Sequence, residues 1–192
     1  MTHRTLIFAG PSAVGKTYVA DALMERHPEA FEQAKLYTTR GPRLNENATD
    51  RVFLSQNKFA AMLESGNFII HAEFGGNMYG FTRESLEPSN KHLLANTWPR
   101  LIPPLARMQH TIMIGMRPPE KWRLFLVDRM RARGDSEEVI AKRVKLIEKD
   151  LNDLEQYQDL VSSHGRLFTV HDNTTATDTI VPWIESKLGL KA

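Results

Sequence analysis

The chain has 192 residues, 41% hydrophobic and 25% charged, the size and balance of one globular domain rather than a fibre or a disordered chain. Twenty-five Lys and Arg against 23 Asp and Glu leave a formal charge of +2, too small to argue for nucleic acid, and the lack of cysteine excludes disulfides and thiolate metal sites. The first apolar segment, Leu6 to Gly10, spans five residues. That is too short for a signal-peptide core or a membrane span, so no membrane role and a cytoplasmic setting are expected.

Thr5 to Ala9 is a continuously apolar run, as in a strand buried on both faces. Val19, Ala20, Leu23 and Met24 then recur at helical spacing, and Pro28 stops that helix. Gly41 to Asp50 is polar and turn-rich. Val52 to Leu54 predicts a short strand, and Phe59 to Leu63 a helix with Ser55 as N-cap and Gly66 past its end. Phe68 to Ile70 reads as a strand, and Gly75-Gly76-Asn77 as a turn. Two further strands are expected at His92 to Asn96 and Thr111 to Ile114, with Pro103 and Pro104 starting or breaking a short helix between them. Glu120 to Ala132 is helical in pattern, and Glu137 to about Tyr157 is a second, highly charged helix. Leu167 to Val170 gives a last strand, and Ile180, Val181, Ile184 and Leu188 a closing helix. Strands alternating with helices predict an α/β layered fold with a mainly parallel sheet, and the polar middle reads as an insertion on its core.

Gly10, Pro11, Ser12, Ala13, Val14, Gly15, Lys16 and Thr17 form the pattern Gly-x-x-x-x-Gly-Lys-Thr between a predicted strand and a predicted helix. A triphosphate crowds negative charge, and backbone N–H groups at a helix N-terminus meet it without a Cβ in the way. Lys16 supplies a cation, and the Thr17 hydroxyl suits Mg²⁺. The plain alternative, a glycine turn with a chance Lys-Thr, does not account for the flanking strand and helix. ATP or a similar nucleoside triphosphate is the expected ligand of this P-loop.

Arg40 and Arg43 bracket Gly41 and Pro42, with Arg51 further on; planar guanidinium groups on a stiff loop suit a second phosphate. Arg129, Arg131 and Arg133 lead into Gly134, a segment suited to closing over a transferring phosphoryl group. Alone, each set reads as a solvated basic face; downstream of a P-loop, each points to phosphate. His71, His92 and His110 are expected to be structural rather than metal ligands, and Trp98, Trp122 and Trp183 to serve in the core or a subunit contact. The run Glu137, Glu138, Lys142, Lys145, Glu148 and Lys149 reads as a solvated helix face with i, i+4 pairs.

Taken in order, Gly-Pro-Ser-x-x-Gly-Lys-Thr, Thr38-Thr39-Arg40-x-Pro42-Arg43, His71-Ala72-Glu73-Phe74-x-Gly76-Asn77-x-Tyr79-Gly80 and Arg129 with Arg133-Gly134 and Arg143 resemble the guanylate kinase family over nearly the whole chain. The resemblance implies a P-loop NTPase three-layer α/β/α sandwich forming one domain over 1–192. Its core would take 1–35 and 90–192, a small acceptor-binding insertion about 36–89, and a lid about 129–140. It implies an ATP-dependent kinase with a phosphate group as acceptor, using Mg²⁺, acting as a monomer or homodimer. Lys16 would grip the ATP phosphates and Thr17 the metal. Arg40, Arg43 and Tyr79 would hold the acceptor phosphate, with Arg51, Glu73 and Asn96 completing that pocket. Arg129, Arg133 and Arg143 would clamp the transferring group, and Asp172 or Asn173 would stand near adenine.

The chain departs from that family's pattern where the base is read. Leu36, Ile70 and Phe81 stand where polar partners of guanine are expected, Arg51 replaces a phosphate-sharing tyrosine, and Asn96-Thr97-Trp98 replaces Asp-x-Asp. Burying a base edge against apolar groups removes discrimination. The first acceptor expected is GMP or another nucleoside monophosphate. The alternative is ribose 1,5-bisphosphate, as in the guanylate kinase-like ribose 1,5-bisphosphate phosphokinase that makes 5-phosphoribosyl diphosphate, with Arg51 and Arg100 on a second acceptor phosphate. A non-catalytic guanylate kinase-like binding module is a further alternative, set against the intact Lys16 and Thr17. A GTPase is disfavoured because neither an Asp-x-x-Gly switch nor an Asn-Lys-x-Asp motif is found.

Overall fold

A computed structural model describes residues 3–42, 50–132 and 134–190. The strands are β1 (Thr5–Ala9), β2 (Phe31–Gln33), β3 (Leu36–Thr38), β4 (Arg51–Phe53), β5 (Phe68–Phe74), β6 (Asn77–Thr82), β7 (His92–Thr97), β8 (Thr111–Arg117) and β9 (Gly165–Thr169). The helices are α1 (Lys16–Arg26), α2 (Gln56–Glu64), α3 (Ile102–Ala106), α4 (Trp122–Ala132), α5 (Glu137–Gln156), α6 (Gln158–His164), α7 (Asn173–Thr175) and α8 (Val181–Leu188), the last two joined by a π turn at Ala176–Ile180.

Five strands form a sheet in the order β2-β7-β1-β8-β9, and every neighbouring pair is parallel. Helices cover both of its faces, which is why the strands read as unbroken apolar runs. Leu6 and Phe8 of β1 join Ile114 and Met116 of β8, Val19 and Leu23 of α1, and Leu126 and Met130 of α4 in one core cluster. Ile7 and Ala9 point the other way, into a second cluster with Met113, Ile102 and Leu105 of α3, and Val161 of α6. This is the period-two alternation of a strand with two buried sides.

A second sheet, in the order β4-β3-β6-β5, hangs off this core. β5 and β6 form an antiparallel hairpin turning at Gly75 and Gly76, β3 pairs antiparallel with β6, and β4 pairs parallel with β3. It contributes Leu36, Ile70, Tyr79 and Phe81 to the second core cluster.

Several elements differ from the expected ones. β6 and α6 are not apparent from periodicity, because β6 carries Asn, Gly and Thr and α6 is mostly polar. β5 continues to Phe74 and β8 to Arg117, since hairpin and sheet pairing extend them past their apolar stretches. β4 starts at Arg51 and β9 at Gly165, earlier than the runs that announce them. Ser55 caps α2 as expected, accepting from Lys58 N–H.

Candidate active site

The loop after β1 is shaped by two close constraints. A Cβ on Gly10 would lie 2.3 Å from the Met116 carbonyl oxygen, so only glycine lets the loop pass β8. Gly15 has φ 113 and serves as the N-cap of α1, a left-handed conformation that favours glycine. Ala13 is also left-handed, with φ 66, and Val14 beside it is fully buried as an anchor. Among the described residues no side chain caps α1 and no acid lies in its first turn, so its opening N–H donors carry no side-chain cap, an arrangement suited to an anion. Lys16 Nζ donates to the Gly10 carbonyl at 2.6 Å and the Pro11 carbonyl at 2.8 Å, folding back over the loop.

A cleft of about 590 Å³ opens in front of this loop. Ser12, Ala13, Gly15, Lys16 and Thr17 of the loop and the start of α1 line it, together with Arg51 and Tyr79 of the second sheet and Arg40 just past β3. Asn96 and Thr97 line it from the C-terminal end of β7, beside Phe8 and Ala9 in the parallel register, the end of a parallel sheet where ligands ordinarily bind. Arg129 of α4 and Arg143 of α5 complete the lining. Arg129 donates to the Val14 carbonyl at 3.3 Å and to Asn173 Oδ1, and its guanidinium lies 4.8 Å from the Phe125 ring centre. Burial holds its pKa below the ordinary value, against the opposing pull of Asp172. Arg143 is held by Asp135, its Nη1 3.2 Å from Oδ2. Ser136 caps α5 and Glu137 and Glu138 occupy its first turn, which fixes the helix bearing Arg143. Arg40 bonds the Gly41 carbonyl at 2.7 Å and faces the Phe53 ring at 5.7 Å.

Thus Lys16, Thr17, Arg40, Arg51, Tyr79, Asn96, Arg129 and Arg143 share one cleft. Gly10, Pro11 and Val14 are buried behind it, shaping the loop. Asn173 meets Arg129 without lining the cleft. Glu73 does not reach it: alternation along β5 turns Phe74 inward and leaves Glu73 exposed on the other face. Arg43 and Arg133 lie outside the described residues.

Trp98, expected in the core or at a subunit contact, packs against the second core cluster and also lines the cleft. It stacks on Phe74 with ring centres 4.9 Å apart, and Tyr79 meets it edge-on at 4.8 Å. Its place at the end of a parallel strand was the available signal. Leu36 also lines this end, whereas Ile70 and Phe81 are buried in the core. Arg100 is fastened inward: it donates to the Glu73 carbonyl and lies 5.8 Å over the Phe74 ring.

A glycine-bounded anion cradle facing arginines across one cleft, on a parallel α/β sheet, defines a P-loop kinase. Comparison with known proteins is specific. Residues 2–165 match the family described as Guanylate kinase. The chain is 32% identical over 160 residues to a guanylate kinase of Trichormus variabilis, covering 80% of this chain and 79% of that one. It is 33% identical over 169 residues to the guanylate kinase of Escherichia coli K12, covering 84% and 81%. The crystal structure of a guanylate kinase from Anaplasma phagocytophilum shares the fold, with a TM-score of 0.67 at 20% identity over 97% of this chain and 86% of that one. The chain belongs to the guanylate kinase family, whose members are ATP-dependent kinases.

Proposed function

We propose that the chain transfers the γ-phosphoryl group of ATP to the phosphate of a nucleoside monophosphate, GMP first. One observation carries this reading: Lys16 and Thr17 share a single cleft with Arg40, Arg51 and Tyr79, so donor and acceptor phosphates can be held end to end. The relatives named guanylate kinases support GMP. In this reading residues about 36–89 form an acceptor-binding insertion and about 129–140 a lid. One chain supplies both sets of residues lining the cleft. No described helix is long and apolar enough to cross a membrane, and a cytoplasmic setting, where ATP is plentiful, goes with the same reading.

Phosphoryl transfer is mostly positioning and charge neutralisation. Lys16 and the N–H donors of the α1 end orient the donor phosphates. Arg40 and Arg51 with the Tyr79 hydroxyl fix the acceptor phosphate in line, and Arg129 and Arg143 neutralise charge on the group in flight. Mg²⁺ takes oxygen ligands and retains waters, so the Thr17 hydroxyl at the cleft wall fits as its protein ligand, beside the donor's phosphates. When bound, the metal supplies charge neutralisation at the phosphate oxygens.

The aromatic end of the cleft favours a second acceptor. Leu36 and Phe74 offer a guanine edge no hydrogen bonds and Trp98 offers only its indole N–H, and ribose 1,5-bisphosphate has no base to read. An assay of ADP release from ATP with GMP, AMP, CMP, UMP and ribose phosphates separates the readings. GMP turnover supports the first and ribose bisphosphate turnover the second. ADP release with no acceptor in the panel, in a K16A-sensitive preparation, defeats both.

A further inference from the structure

α5 presents Val139, Arg143 and Leu146 to the cleft, and their helical spacing continues to Asp150 one turn on. Asp150 is only 4% exposed, a depth at which aspartates are ordinarily paired. Yet its Oδ2 finds no hydrogen-bond partner among the described residues. The same is true of Asn96 Oδ1 and Thr97 Oγ1, whose residues line the cleft. A carboxylate that served packing alone would have both oxygens satisfied.

The charged groups facing Asp150 come from three elements: Lys16 of α1, Arg100 of the 3-10 turn Pro99–Leu101, and Lys149 and Asp153 of its own helix. The carbonyls of Gly10 and Pro11 orient the Lys16 ammonium without carrying a formal charge to balance it. Arg100 belongs to the acceptor side through the Glu73 carbonyl and the Phe74 ring. Asp150 is therefore a buried carboxyl acted on by a donor-side cation, Lys16, and an acceptor-side cation, Arg100.

We propose that Asp150 is a positioning residue of the transfer, drawing Lys16 and Arg100 toward one buried point and taking up a proton from solvent when donor phosphates engage Lys16. This rests on the reading of Lys16 as the donor-phosphate lysine. Before the donor binds, the two cations favour the carboxylate, while burial, the larger effect, pushes its pKa up to about 7. Arriving phosphates divert Lys16 and add negative charge, both of which favour the neutral acid. The proton goes onto an Asp150 carboxyl oxygen, and no bond within the substrates changes at this step.

The test is titration calorimetry of ADP with Mg²⁺ at about pH 7.5, in two buffers of different ionisation enthalpy, which counts protons taken up per ADP bound. Wild type takes up a substantial fraction of one proton. D150N still binds ADP but takes up fewer protons, the difference from wild type cancelling any share due to the nucleotide itself, and D150E restores part of it. D150N also lowers kcat by more than it raises the KM for ATP. Equal proton uptake by wild type and D150N overturns the proposal, as does wild-type binding with none. Failure of wild type to bind ADP at all overturns the Lys16 reading, and the Asp150 role with it. If D150N does not fold, the wild-type count alone decides.

Discussion

Arg129 reaches from the last turn of α4 to the P-loop, placing Nη1 3.3 Å from the Val14 carbonyl oxygen. That contact joins the start of the expected lid, at the end of α4, to the loop that would hold the donor, and the Phe125 ring beneath the guanidinium sets its direction. Lysine in its place keeps the charge but loses the planar fork and the stacked face. R129K should lower kcat about tenfold and R129A about 10²- to 10³-fold, the range for removing one donor to developing charge. Steady-state rates, with thermal melts to show the fold intact, check this.

Gly10 has no room for a side chain, since a Cβ would sit 2.3 Å from the Met116 carbonyl oxygen of β8. The backbone has to yield on one side, so Gly10→Ala is expected to destabilise the chain by about 1–3 kcal/mol, as overpacking does. Because the displaced segment is the P-loop itself, ADP affinity should fall too. Urea denaturation and ADP titration of one preparation read both. A variant as stable as wild type contradicts the close packing.

Trp98 tests the proposed acceptor end. It stacks on Phe74 and meets Tyr79 edge-on, and aromatic pairs add about 0.5–1.5 kcal/mol beyond burial. Trp98→Ala should raise the acceptor KM by roughly three- to tenfold or more on that scale, with the ATP KM nearly unchanged. Equal rises in both constants would place Trp98 in general support of the fold.

His92 gives a pH dependence of stability. It is buried, accepts from the Arg4 N–H at Nδ1, and packs between the His3 and Phe31 rings. Burial, reinforced by His3, lowers its pKa from 6.5. The folded state thus binds this proton less readily than the unfolded chain does. The stability it contributes is present above about pH 6.5 and is lost as pH falls through 6.5 toward the lowered folded value. Melting of wild type against H92F at about pH 7.5 and 5.5 checks the sign: the wild type should lose more on acidification.

The parallel core was legible in the sequence because burial on both faces leaves an unbroken apolar run, and Thr5–Ala9 shows both core clusters in five residues. The P-loop was legible because its glycines answer to backbone geometry that favours glycine. The second sheet was harder. The face of each β5 residue depends on the hairpin register and on the irregularity between Phe68 and Ile70, so Glu73 and Phe74 could not be told apart by motif. Trp98 packs against the core as aromatic residues usually do, and its motif gave no sign that it also lines the cleft. Asp150 was hidden in a helix whose neighbours Glu148 and Lys149 are exposed; the phase running from Arg143 through Leu146 singles it out once the cleft-facing side of α5 is known.

The central claim is that one cleft holds two phosphate groups for transfer between them, and ³¹P NMR of a reaction containing ATP, GMP and Mg²⁺ tests it most directly. The expected result is growth of the two phosphorus signals of GDP in step with ADP, abolished by K16A and strongly slowed by R40A. ATP and GMP left unchanged by the wild type, or GDP formed equally well by K16A, contradicts the account.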